Sequence, residues 1–252
     1  MLKEVRRELP AENIVYFGDT AHVPYGTKSK ETITKFSIDN VRFLQNFDAK
    51  LVVVACNSAS SLSLDVLKEN FTTPIIGVIE PGTREAVRRT KNGRVGVIGT
   101  KATIGSGAYE TGLKHMDPKL KVYSQACPLF VPFVEEGWLD GEVVLKVAQS
   151  YLSQLKAFKI DTLILGCTHY PLLSESIQKT IGEGVSLINS AEETAREARE
   201  LLKSLSLNTQ DGAAQETQFY VSDEPEPFRA LGERFLGRSI PFVAKVGDYV
   251  PS

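Results

Sequence analysis

Short apolar runs and amphipathic stretches alternate along the whole chain. The continuous aliphatic run Leu51–Ala55 is typical of a strand that is buried on both faces. The stretch Lys30–Asn46 instead carries its apolar residues at helical spacing. Alternation of this kind predicts an α/β protein in which helices cover parallel sheets.

The pattern predicts eight strands and eight helices over most of the chain. Strands are expected at Ile14–Phe17, Leu51–Ala55, Ile75–Ile79, Arg94–Gly99, Lys121–Ser124, Thr162–Leu165, Val185–Ile188 and Gln218–Val221. Helices are expected at Leu2–Leu9, Lys30–Asn46, Leu62–Asn70, Thr83–Thr90, Gly107–Met116, Glu142–Phe158, Leu173–Ile181 and Ala191–Ser204. The polar stretch Asn208–Glu216 is expected to be a loop.

The two halves of the chain match each other. The run Leu51–Asn57 parallels Thr162–Thr168, and each run contains a cysteine just after its apolar segment. We interpret this match as a duplication that gives two similar α/β domains, residues 1–82 with 191–252 and residues 83–190, related by pseudo-symmetry with a cleft between them. The alternative is that all parallel α/β units look alike.

The internal comparison also shows a difference between the halves. The second unit begins with the strand Arg94–Gly99 and a polar turn, Thr100–Ser106, before its first helix. The first unit begins directly at the helix Leu2–Leu9. We therefore expect the chain to start one element late, with its first domain truncated at the N-terminus.

Composition narrows the class of protein. The 252 residues are 42% hydrophobic and 24% charged, with a net charge of −2, which excludes a disordered chain and a strongly basic nucleic-acid-binding surface. The N-terminus lacks the apolar core of a signal peptide, and the apolar runs are too short to span a bilayer. We expect a cytoplasmic protein that binds neither membrane nor nucleic acid.

The sequence predicts no metal or cofactor. The three cysteines and three histidines are scattered and include no Cys-x-x-Cys pair, so neither a disulfide framework nor a zinc site is expected. The run Gly26–Ser29 resembles the end of a P-loop, but its upstream glycine is replaced by Ala21. No Gly-x-Gly-x-x-Gly motif and no pyridoxal lysine signature are evident.

Cys56 and Cys167 each follow the carboxyl end of a buried strand, where open α/β sheets form their ligand sites. A helix N-terminus that follows each cysteine is expected to lower the thiol pKa and to bind a carboxylate. A single cysteine in this position is more often a small buried hydrophobic residue. Two in matching positions instead predict two thiols that point into one cleft from opposite sides.

Two opposed acid/base groups suit the inversion of a stereocentre. One group removes a proton from one face of the carbon, and the other delivers a proton to the opposite face. In each direction one cysteine must be a thiolate and the other a thiol. The residues therefore point to a racemase that works without a cofactor.

Further residues near the second cysteine have two interpretations. His169 either tunes the Cys167 thiol or caps the helix that follows Pro171. We interpret Glu135 and its neighbour Glu136 as solvent-exposed residues at the start of a helix. Cys127 has no counterpart in the first half, and we interpret it as a packing residue.

Several motifs resemble those of bacterial glutamate racemases, over nearly the whole chain from Leu2 to about Val250. They are Phe17-Gly18-Asp19-Thr20 with Pro24-Tyr25-Gly26, Ala55-Cys56-Asn57-Ser58-Ala59-Ser60, Cys127-Pro128-Leu129-Phe130-Val131-Pro132 and Gly166-Cys167-Thr168-His169-Tyr170-Pro171.

The resemblance implies cofactor-independent interconversion of L- and D-glutamate for peptidoglycan synthesis by a homodimer. It implies Cys56 and Cys167 as the acid/base thiols, with His169 and Glu135 as auxiliary groups. The residues it implies for substrate binding are Tyr25, Gly26, Asn57, Ser58, Thr103, Thr168 and His169.

Two departures from the family pattern affect these expectations. Ser58 replaces the usual threonine and keeps its hydroxyl group. The Asp-Ser-Gly-x-Gly-Gly turn with which the family usually opens is absent, which leaves two explanations: a start site upstream of Met1, or a member with little or no activity that still binds glutamate. A sibling racemase that acts on aspartate or a hydantoin is the remaining alternative.

Overall fold

The computed structural model describes residues 1–209 and 216–248, and it confirms an α/β fold with parallel sheets. The helices are α1 (Leu2–Glu8), α2 (Lys30–Leu44), α3 (Asn57–Asn70), α4 (Ile79–Arg89), α5 (Lys101–Gly105), α6 (Ala108–Met116), α7 (Phe130–Glu135), α8 (Glu142–Ala157), α9 (Ser174–Ile181), α10 (Ser190–Ser204) and α11 (Pro225–Leu236). The strands are β1 (Ile14–Gly18), β2 (Val52–Val54), β3 (Ile75–Gly77), β4 (Arg94–Gly99), β5 (Lys121–Ala126), β6 (Thr162–Gly166), β7 (Ser186–Ile188), β8 (Thr217–Val221) and β9 (Ala244–Lys245).

The second unit is built on one four-stranded sheet with the order β5-β4-β6-β7. The central strands β4 and β6 are almost completely buried because apolar clusters pack on both faces of the sheet. The continuous aliphatic sequences of both strands suit this two-sided burial. Because β4 and β6 run parallel, their carboxyl ends lie at the same edge of the sheet.

The strands of the first unit form two smaller sheets, β1-β8-β9 and β2-β3. The counterparts of β1 and β2 in the second unit are β5 and β6, and both of these strands pair with β4. Among the described residues no strand occupies the corresponding position between β1 and β2. The predicted domain limits at residues 82 and 190, and the truncation of the first domain, stay predictions.

Two helices in the site region differ from the sequence prediction. Helix α3 begins at Asn57 rather than at Leu62, because the extended backbone of Cys56 allows its carbonyl to accept from the Ser60 N–H at 2.8 Å. Helix α5 occupies the stretch predicted as a polar turn, and the Thr100 side chain caps it by accepting from the Thr103 N–H. Small polar residues that favour turns also favour helix N-termini, so their pattern was ambiguous.

Helices α7 and α11 were not predicted. Glu135 is the last residue of α7, so the expectation that it lies at a helix start was wrong. Most of the predicted loop Asn208–Glu216 lies outside the described residues. Across the described ranges, none of the helices combines the length and the apolar character needed to cross a bilayer.

Candidate active site

Cys56 and Cys167 occupy equivalent positions in the two units. Cys56 follows β2 and is the N-cap residue of α3, and Cys167 follows β6. The backbone N–H groups two and three residues later, of Ser58 and Ala59, hydrogen bond to the Cys56 sulfur. The N–H groups of His169 and Tyr170 contact Cys167 in the same way. The repeat therefore places both sulfur atoms in similar backbone surroundings.

Burial dominates the acidity of both thiols. Loss of water raises the pKa of Cys56, and the backbone N–H groups of Ser58 and Ala59 only partly offset this effect. Burial, with a smaller contribution from a negative charge on Cys56, raises the pKa of Cys167 to about 12. The backbone donors at the start of each following segment lower the thiol pKa, as expected, but desolvation outweighs them and the net shift of both pKa values is upward.

The two cysteines lie close enough to interact electrostatically, since the charge on Cys56 influences the pKa of Cys167. A buried hydrogen bond also joins their surroundings. The hydroxyl of Tyr109, on α6 and near enough to feel the charge of Cys167, donates to Asn57 Oδ1 at 2.6 Å. Asn57 follows Cys56 directly, so the two thiols share one region between the units.

A histidine and a carboxylate stand next to Cys167. His169 Nδ1 lies 3.7 Å from the Cys167 sulfur, and His169 Nε2 lies 3.3 Å from a Glu135 oxygen. The Thr168 hydroxyl is 3.4 Å from the same Nδ1 atom. The His169 side chain accepts no capping hydrogen bond, which removes the interpretation as a helix cap. Cys127 is fully buried in the apolar core, in agreement with a packing role.

Hydroxyl groups from both units cluster beside Cys56. The Ser58 hydroxyl lies 2.9 Å from that of Thr100 and 3.2 Å from that of Thr103. Gly26 faces the same threonine: a Cβ at this position would stand 2.6 Å from Thr100 Cβ. Only a glycine fits this approach, so the loop after β1 packs directly on the start of α5.

The loop after β1 is held by Asp19. This carboxylate accepts from His22 Nδ1 at 2.7 Å, from the Ser222 hydroxyl at 2.8 Å and from the hydroxyl of Tyr25. Burial and the neighbouring carboxylate raise the pKa of Tyr25 above its ordinary value. Asp19 therefore braces the loop that carries Tyr25 and Gly26.

Sequence reasoning did not identify Thr100, Tyr109 and Phe235 as residues of this region. Thr100 follows β4 at the same sheet edge as Cys167, and that position was a usable signal. Tyr109 lies on a helix face whose partners only the fold reveals. Phe235 lies on the unpredicted helix α11, and its ring packs edge-on against His169 with 5.8 Å between ring centroids.

Comparison with known proteins identifies one matching family and three similar proteins. The model of the family described as Asp/Glu/Hydantoin racemase matches residues 1–198. A glutamate racemase of Geobacter metallireducens is 50% identical over 248 residues, which cover 98% of this chain and 90% of that protein. The crystal structure of a glutamate racemase from Bacillus anthracis superposes with a TM-score of 0.93 at 42% identity, covering 97% of this chain and 91% of that one. A glutamate racemase from Francisella tularensis, solved in complex with D-glutamate, gives a TM-score of 0.91 at 39% identity with the same coverage of each chain.

Proposed function

The chain belongs to the Asp/Glu/hydantoin racemase family, and from this premise we propose that it interconverts L- and D-glutamate. The main observation that supports this proposal is the pair of equivalent thiols, Cys56 and Cys167, which interact electrostatically in one region between the two units. The similarity to glutamate racemases over 98% of this chain supports glutamate as the substrate. The similarities do not support a truncated, inactive member. The family model also covers aspartate and hydantoin racemases, and glutamate is favoured over those substrates because the relatives reported above are glutamate racemases.

In this mechanism one cysteine is a thiolate and the other a thiol. The thiolate removes the α-proton, and the C–H electron pair stays on the substrate as a carbanion. The other thiol then donates its proton to the opposite face, so the thiolate and the thiol exchange places. The Cys56 charge raises the pKa of Cys167, which disfavours two thiolates at once.

Four residues carry the proposed acid/base chemistry: Cys56, Cys167, His169 and Glu135. His169 lies between the Cys167 sulfur and Glu135, so its imidazole is placed to orient or exchange the thiol proton. The side-chain hydrogen-bond partner of Cys56 is the Ser58 hydroxyl instead. We therefore expect the two half-reactions to depend on different auxiliary groups.

Substrate binding is proposed for residues on both sides of the cleft. They are Tyr25, Gly26, Asn57, Ser58, Thr103, Thr168 and His169. The first five lie on the side of Cys56, and among them Asn57, Ser58 and Thr103 are almost completely buried. Thr168 and His169 adjoin Cys167. A substrate between the sulfur atoms would meet both groups.

The biological role follows from the family resemblance. We propose that the enzyme works in the cytoplasm as a homodimer and supplies D-glutamate for peptidoglycan, and hence for cell-wall biogenesis and cell shape. Expression of the chain should restore growth of a bacterium that requires added D-glutamate. Light scattering coupled to size-exclusion chromatography should give twice the mass of one chain.

The direct test is a racemisation assay on purified protein with each enantiomer of glutamate. Wild-type protein should convert both, and Cys56→Ala and Cys167→Ala should each abolish conversion. Cys127→Ala is the matched control, because this third cysteine lies in the core and should be dispensable for catalysis. Full activity of either active-site variant would refute the proposal, and a substrate panel that favours aspartate would replace glutamate.

A further inference from the structure

The last turn of α11 reaches from the first unit to the surroundings of Cys167. Most of α11 packs on its own unit, where Phe228 joins the apolar cluster around β8. Two consecutive residues at its end instead contact the second unit. Arg234 Nη1 donates to the backbone carbonyl of Glu135 at 3.3 Å, and the Phe235 ring meets the His169 ring at 85°.

These contacts involve His169, which approaches the Cys167 sulfur, and Glu135, which approaches His169. The His169 ring has one nitrogen near the sulfur and the other near Glu135, so its usefulness depends on its orientation. The edge-on ring of Phe235 restricts that orientation, since aromatic pairs at this distance prefer such a geometry. Arg234 holds the backbone of Glu135, whose carboxylate contacts His169.

The chain also makes room for Arg234. Gly137 has a φ of +78°, and a Cβ there would stand 2.8 Å from Arg234 Nη1. A side chain at this position would therefore be strained and would displace the guanidinium group. The backbone after α7 and the end of α11 are fitted to each other.

We propose that Arg234 and Phe235 are positioning residues that hold Glu135 and His169 against the Cys167 thiol. This inference rests on the proposed racemase function and deepens it. The effect is one-sided, because Arg234 and Phe235 act on the surroundings of Cys167 and not on those of Cys56. Loss of either residue should slow proton transfer at Cys167 more than at Cys56.

Steady-state efficiency alone cannot reveal this asymmetry. The two enantiomers have equal free energies in water, so kcat/KM must stay equal in both directions for any variant. The isotope effect of an α-deuterium can reveal it. When transfer at Cys167 becomes slower, the effect rises for the enantiomer that Cys167 deprotonates and falls for the enantiomer that Cys56 deprotonates.

The experiment measures α-deuterium isotope effects on kcat with both enantiomers for Arg234→Ala and Phe235→Ala. Arg229→Ala is the matched control on the same helix, since its described ion pair is local, with Glu226. We expect kcat to fall about tenfold in the two variants, because a misplacement of about 1 Å can cost about a hundredfold. The two isotope effects should move apart in these variants and stay as in wild type for Arg229→Ala.

Arg234 is exposed, so its replacement leaves the core intact. Phe235→Leu keeps apolar packing and serves if Phe235→Ala does not fold. Unchanged isotope effects, or equal changes for both enantiomers, would overturn the positioning role. Wild-type protein without racemisation would instead overturn the proposed function and this inference with it.

Discussion

The hydrogen bond between Tyr109 and Asn57 gives the sharpest prediction on how the cleft is held together. Both side chains are almost completely buried, and the Tyr109 oxygen also hydrogen bonds with Ser190. Tyr109→Phe removes one hydroxyl and leaves the Asn57 carbonyl oxygen without its donor. The lost bond costs about 1 kcal/mol, and an unsatisfied buried acceptor costs about 1–3 kcal/mol.

We therefore expect Tyr109→Phe to lower the free energy of unfolding by about 2 kcal/mol. For a chain of this length, that corresponds to a fall in Tm of about 4–8 °C. Calorimetry and urea titration measure both quantities. Because Asn57 also belongs to the proposed substrate site, KM for glutamate should rise in the same variant.

Tyr123→Phe is the matched control. The Tyr123 ring stacks on Phe158 with 4.2 Å between centroids, and its hydroxyl makes no hydrogen bond within the described residues. This variant should be as stable as wild type to within about 0.5 kcal/mol. Equal stability of both variants would show that the Tyr109–Asn57 bond does not hold the two units together as argued.

Two further predictions concern acidity and packing. Burial raises the pKa of Cys56 and of Cys167, so the required thiolate is scarce near neutral pH. We therefore expect kcat/KM to rise about tenfold per pH unit from about pH 7 to about pH 8.5. A flat pH profile would contradict the raised pKa values. Gly26→Ala should destabilise the protein by about 1–3 kcal/mol in urea titration, because its Cβ would stand 2.6 Å from Thr100 Cβ. Gly105→Ala meets nothing within 4 Å and is the control that should stay stable.

The sequence predicted the elements whose signal is local. The aliphatic runs that became β4 and β6 are buried on both faces, so their pattern is unambiguous. The long helices α2 and α8 begin at the predicted residues and end within two residues of the prediction. The repeat of the cysteine motif also predicted that both thiols follow strand ends.

Features that depend on the tertiary structure could not be predicted from local sequence patterns. The start of α3 is set by the backbone of Cys56, and small polar residues signal turns and helix starts alike. The net direction of the thiol pKa shifts depends on burial, which a motif does not contain. The contact of Phe235 with His169 joins residues 66 positions apart (235 − 169) and follows only from the placement of α11.

The central claim is that two sulfur atoms act on opposite faces of one carbon, and the fate of the α-hydrogen tests it most directly. Wild-type protein is given L-glutamate in deuterated water, and the early reaction is followed by NMR and chiral analysis. Two acid/base groups predict that the D-glutamate formed first carries deuterium while the remaining L-glutamate keeps its protium. Product that retains the original hydrogen, or substrate that exchanges as fast as product appears, would mean that a single group does both transfers.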